Sequence, residues 1–239
     1  MVDAMPLSAA MALGSVCLLA VAAFITFTGY KHFTTSLVLQ GAILGGYLGW
    51  AWGTSMGSSN AFLSLGVAVG VALVLGVLTY LLKTIVQFLF GAALGIQLGS
   101  MLNVVYLHTL DASRPNAIGY YTMAGCGAVF GLVACIPRRP IHVLLTAWVG
   151  AYWFVQGIGN MAGGFPALFN PFPNGIPAAV PVSYYVYMGG WVLLGLLGSV
   201  LQFQSTALDV DHHAPTTDDD VDLEKEHASD DSSVAYWRH

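Results

Sequence analysis

The sequence predicts an all-α polytopic membrane protein of seven transmembrane helices, arranged as three similar helical hairpins plus one helix. Three observations predict it. Only six charged residues lie between Pro6 and Leu208: Lys31, Lys83, Asp111, Arg114, Arg138 and Arg139. A water-soluble domain carries charge on every exposed face, so this surface is matched to lipid. Mean hydropathy is +0.72, and charged residues make up 8% of the chain, against about 25% in soluble domains. Finally, seven apolar runs approach the about 20 residues a helix needs to cross the hydrocarbon layer.

The first run, 7–29, reads as a retained helix rather than a signal peptide. The residues before it hold Asp3 and no Lys or Arg. The apolar run is also longer than the about 7–15 residues of a signal segment. The second run spans 34–53. The third and fourth, 61–82 and 84–105, are interrupted only by Lys83. One straight helix over both would overshoot the bilayer about twofold, so the chain turns near 80–84. The remaining spans are 118–136, 140–161 and 184–204. Domain 1–206 is thus the membrane body. The tail 207–239 is acidic, rich in Ser and Thr, and too polar to form a core, which predicts disorder.

Charge sets the expected orientation. Lys31, Lys83, Arg138 and Arg139 occupy the first, third and fifth connections, while the other side holds only Arg114. The bias places the N-terminus outside or in a lumen and the C-terminus in the cytosol. It does not separate plasma membrane from endomembrane. Tyr30, Tyr80, Tyr106, Tyr120, Tyr121, Tyr184 and Tyr185 sit at helix ends, as an aromatic belt would. No basic patch suggests nucleic acid. Cys17, Cys126 and Cys135 form no paired motif and read as small buried hydrophobes.

An internal repeat organises the body. Gly41-Ala-Ile-Leu-Gly45-Gly-Tyr-Leu-Gly49 matches Gly91-Ala-Ala-Leu-Gly95-Ile-Gln-Leu-Gly99 at an offset of 50 residues. A weaker third copy starts at Gly150-Ala151. Each follows a turn bearing a cation, so the copies enter from one side as a parallel repeat. Glycine at every fourth position, Gly41, Gly45, Gly49 and Gly53, then Gly91, Gly95 and Gly99, makes a groove that admits a neighbouring backbone. The expected uses are packing within one protomer, or a homo-oligomer through the same helices. A methyl often fits such contacts, so Gly→Ala should be milder than Gly→Leu.

Few residues carry chemistry. Gln40, Gln97, Asn103, Gln156 and Asn160 are costly in lipid unless paired. They are expected to face the interior and form the candidate polar path. No Asp or Glu lies within a span, which removes the usual coupling carboxylate of ion-driven transporters. His32, His108 and His142 share no ligand spacing, and His212-His213 sit in the tail. No nucleophile or metal motif is present, so neither an enzyme nor a cofactor is expected. In the tail, Thr216 and Thr217 each precede an acidic residue by three positions, a pattern acidophilic kinases read. The sixth connection, 162–183, has five prolines, three phenylalanines and no charge, and reads as a lid or interfacial segment.

Two functions follow. One is a membrane scaffold or receptor-like component acting through protein contacts, with the tail engaging a cytosolic partner or kinase. The alternative is a channel or facilitator for a neutral or small solute.

Certain stretches also carry a family resemblance. Phe27-Thr-Gly-Tyr-Lys-His-Phe33 with Leu39-Gln-Gly-Ala-Ile-Leu-Gly-Gly46 is one of them. The second is Gly70–Gly76 with Lys83 and Phe90-Gly-Ala-Ala-Leu-Gly95. The third is Arg138-Arg139-Pro140 with Thr146-Ala-Trp-Val-Gly-Ala-Tyr152. Over residues 10–204 they resemble the domain shared by transmembrane protein 198 and seven-transmembrane superfamily member 3. That resemblance implies a multi-pass membrane protein, with some animal members associated with signalling at the cell surface. It brings no catalytic or ligand residues with it. The proline-rich stretch 165–181 departs from the family pattern.

Overall fold

The computed structural model describes residues 7–56, 61–111, 113–169, 171–172 and 180–206. The tail with Thr216 and Thr217, Gly57, and the 173–179 part of the sixth connection lie outside the described residues. Seven α-helices make up the fold, and no strand occurs among the described residues: α1 Leu7–Thr28, α2 Phe33–Ser55, α3 Ala61–Leu81, α4 Lys83–Val105, α5 Ala117–Ala134, α6 Arg139–Ala162 and α7 Val182–Leu201. A π-turn, Gln202–Thr206, extends α7. Five helices, α3 to α7, are long and apolar enough to cross a membrane. α1 has 22 residues, about 33 Å of helix. α2 has 23 residues, about 34 Å of helix, but its glycines and hydroxyl side chains lower its hydropathy.

The predicted hairpins are not the units that pack. Helices joined by the cation-bearing turns, α1–α2, α3–α4 and α5–α6, touch little. The intimate pairs are α2–α3, α4–α5 and α1–α6, with α7 against α6. The reason lies in the glycine faces. A short turn ties two ends together, but close axes need small residues at the contact. The glycines of α2 and α4 point to the helix across the outer connection, not to the helix across the basic turn. The three even helices α2, α4 and α6 also touch one another, and the odd helices flank them.

α6 is the most buried helix. Leu145, Val149, Ala151 and Tyr152 join Phe90 and Leu94 of α4 and Trp191 of α7 in one apolar cluster. Outside, α3 and α7 present bare aliphatic faces: Leu73 is 66% and Leu193 71% exposed. In water such faces would be penalised; in lipid they are not. The cysteines depart from expectation. Cys17 and Cys135 are exposed and Cys126 is half-buried, which costs little where the neighbour is hydrocarbon. Tyr30 is also no belt residue, being fully buried.

Every close pair is antiparallel. Gly41 faces Thr79 while Gly53 faces Ser64; Gly91 faces Phe130 while Gly99 faces Met123; Gly150 faces Thr26 while Gly157 faces Leu19. This brings the turns holding Lys31, Lys83, Arg138 and Arg139, and the end of α7, to one end of the bundle.

Candidate functional site

The glycine rows meet backbone. A Cβ at Gly45 would stand 2.7 Å from the Val71 carbonyl oxygen, at Gly49 2.8 Å from Ala68 Cα, and at Gly53 2.8 Å from Ser64 Cα. At Gly41 it would strike the Thr79 hydroxyl. On α4, a Cβ at Gly99 would stand 2.7 Å from Met123 Cα, while Gly95 and Gly91 press on the carbonyls of Cys126 and Phe130. A Cβ at Gly150 of α6 would likewise stand 2.6 Å from the Thr26 nitrogen of α1. These faces are therefore covered within the same chain and offer no open groove to a second copy. Where the neighbour is backbone, even a methyl requires the two helices to shift.

At the basic end the three even helices meet on one ring. His142 of α6 is 2% exposed. It stacks on Phe33 of α2, with centroids 4.6 Å apart and planes at 18°. Nε2 of His142 lies 2.7 Å from the Gln87 amide nitrogen of α4 and 3.1 Å from the Ala134 carbonyl oxygen. The same Gln87 nitrogen donates to that carbonyl at 3.0 Å.

Beside it, Gln202 closes α7 onto α1 and α6. Its side chain is fully buried. Its Oε1 accepts from the Tyr30 N–H at 3.1 Å and the Thr146 hydroxyl at 3.0 Å. Its Nε2 donates to the Thr26 carbonyl at 2.6 Å and the Ile25 carbonyl at 3.3 Å. Those carbonyls lie in the last turn of α1, where helix acceptors lack intrahelical partners.

The predicted polar path is only partly interior. Gln40, Gln97 and Asn103 are buried, at 7%, 1% and 0% exposure. The Oε1 atoms of Gln40 and Gln97 and the Oδ1 atom of Asn103 have no hydrogen-bond donor among the described residues. Asn103 Nδ2 donates to Asn116 Oδ1 at 3.3 Å. Gln156 is half-buried and Asn160 exposed. They bond to each other at 3.1 Å, so this i,i+4 pair needs no interior partner. No hydrogen bond links Gln40, Gln97 and Gln156 among the described residues.

The end opposite the basic turns is capped by the sixth connection. α6 stops at Gly163, whose φ of 79° is the left-handed value glycine accepts freely. The prolines deny the following backbone a helix, and side chains from the bundle take up its carbonyls instead. Tyr187 donates to Gly163 O at 2.6 Å, Ser100 to Leu168 O at 2.6 Å and Asn116 to Phe172 O at 3.1 Å. Phe165 lies edge-on to Tyr152 and packs on Tyr187. Phe172 is 3% exposed, with its ring 4.8 Å from that of His108. Nearby, Asp111 accepts from the Ser113 hydroxyl at 2.6 Å and pairs with Arg114 at 3.5 Å. Chiefly the Ser113 hydrogen bond, with help from backbone N–H groups and Arg114, holds the Asp111 carboxyl below its ordinary value.

Sequence reasoning passed over Gln87, Gln202, Ser100 and Asn116. Their signal was the one used for the other amides: a polar group in an apolar run must find a partner. Two apolar surface grooves, of about 430 and 220 Å³, lie along α3 and between α4, α5 and Phe169. No group of three His, Cys, Asp or Glu side chains is placed to hold a metal among the described residues.

Among curated proteins and among solved structures, nothing matches the chain. The family model for the TM7S3/TM198-like domain matches residues 14–203. With a bundle of apolar helices under that match, the chain belongs to the TM7S3/TM198-like domain family.

Proposed function

We propose that the chain is a seven-span membrane protein that acts through contacts, as a scaffold or receptor-like component, rather than by catalysis. The observation that carries this reading is the apolar seam between α4 and α6, where Phe90, Leu94, Leu145 and Val149 are each at most 5% exposed. A seam so packed leaves the outer surface and the loops as the places where the protein meets others. α1 and α2 complete seven spans in this reading. The cation bias sets the N-terminus outside or in a lumen and the acidic tail in the cytosol, where it would engage a protein partner or a kinase at Thr216 and Thr217.

A second reading, a conduit for a neutral small solute, draws on the unpartnered oxygens of Gln40 and Gln97. A buried acceptor without a donor is costly and invites water or a donor solute. Solute and water flux into proteoliposomes separates the two readings. Under the scaffold reading, flux equals that of empty vesicles, and deleting 207–239 abolishes capture of the partner. Flux above the empty-vesicle rate, retained after the deletion, would replace the scaffold by the conduit.

A further inference from the structure

We infer that the acidic tail, residues 207–239, docks on the basic end of its own bundle and covers it until a partner removes it. The inference needs only the tail's point of attachment, so it stands apart from the choice between scaffold and conduit.

The first observation is positive charge gathered at one end of the bundle. Lys31 and Arg138 are exposed and Arg139 is half-buried at this end. Lys83 begins α4 there. The ion pair among the described residues is Asp111–Arg114, in the connection at the opposite end. The starts of α2, α4 and α6 open on the same end, and none has a side-chain cap. Their N–H groups add to the positive field.

The second observation is where the tail begins. Gln202 Oε1 accepts from the N–H of Tyr30, the residue before Lys31. The π-turn that Gln202 opens ends at Thr206, so the described chain ends four residues beyond this contact with the first basic turn. Twelve residues after Thr206 comes Asp218, followed by Asp219 and Asp220. At about 3.3–3.6 Å per extended residue the chain reaches any of the four cations.

The third observation is complementarity. The tail carries ten acidic and two basic residues, and the body carries an excess of basic ones. Tethering makes the encounter intramolecular, at an effective concentration in the millimolar range for a short flexible linker. That favours the tail over anionic headgroups, which compete for the same cations. Phosphates on Thr216 and Thr217 would each add about −1.5 to −2 charges and tighten the docking.

The test uses the full-length protein in nanodiscs of phosphatidylcholine, and in nanodiscs containing about one-third phosphatidylserine. A zero-length carbodiimide joins carboxylates to amines, and mass spectrometry reads the links. Lys31 or Lys83 should link to the segment 218–226 in both lipids. At about 1 M salt, where the Debye length is about 3 Å, the yield should fall at least about tenfold. Arg138→Gln with Arg139→Gln keeps both lysines and should lower the yield several-fold. Should that variant not fold, the salt series on the unaltered protein stands alone as the test. Mixing ¹⁵N-labelled and unlabelled chains separates links within one chain from links between two. Absence of links in phosphatidylcholine would overturn the inference. So would links found only between chains, or links that vanish when phosphatidylserine is present, since the cations would then belong to headgroups.

Discussion

The side-chain amide nitrogen of Gln87 lies 2.7 Å from Nε2 of His142, and through this contact α4 and α6 are joined to α2, whose Phe33 lies flat on the same imidazole. The ring is nearly inaccessible, so nothing from solvent replaces a lost partner. Gln87→Leu removes the amide's hydrogen bond to the Ala134 carbonyl and its contact with His142 Nε2. It should destabilise the bundle by about 1–3 kcal/mol. His142→Ala removes the stacking as well and should cost more. Melting temperatures of the detergent-solubilised protein measure both; values equal to the unaltered protein would remove His142 as the joint between the even helices.

The glycine rows predict a graded response to a single methyl. Gly95→Ala would drive Cβ into the backbone around Cys126, an overpacking that costs about 1–3 kcal/mol. At Gly125, nothing lies within 4 Å of the added carbon. Gly125→Ala should be neutral or slightly stabilising, because alanine is the better helix former. Equal melting temperatures for the two variants would mean that α4 and α5 do not approach at Gly95.

Gln97 predicts a gain. Its Oε1 is buried without a donor. Gln97→Met keeps length and volume and removes the unsatisfied group, so in a dry interior it should be neutral or stabilising by up to about 1–3 kcal/mol. A lower melting temperature together with reduced solute flux would instead mean that the oxygen holds water or a solute, which is the conduit reading.

Asp111 predicts a pH dependence confined to the connection between α4 and α5. Its carboxyl is held below the ordinary value, mainly by the Ser113 hydroxyl. A carboxylate depressed in the folded state stabilises the turn above its unfolded value of about 3.9. That stabilisation is lost as pH falls through the lower folded value. Ser113→Ala should raise the Asp111 midpoint toward the ordinary value, followed by the ¹³C carboxyl shift of labelled aspartate. An unchanged midpoint would exclude the hydroxyl as the main cause.

Helix number and position are legible in the amino-acid order alone, because the bilayer imposes a length on each apolar run and a place on each cation. The starts of α1 and α3 fall where the runs begin, and the other starts fall within two residues. The glycine spacing is legible as a demand for a close neighbour, and the charge asymmetry as a basic end and an acidic tail. Which helix answers each glycine face is not, since a face period fixes a direction around one axis and says nothing of the partner. Covalent proximity suggests α1 with α2. Backbone contact instead puts α2 on α3, α4 on α5 and α6 on α1. The same limit hides Gln202, whose partners Tyr30 and Thr26 lie 172 and 176 positions away. A buried amide announces in sequence that it needs a partner. Only the tertiary arrangement decides which one, because hydrogen bonds act over about 3 Å of space regardless of separation along the chain.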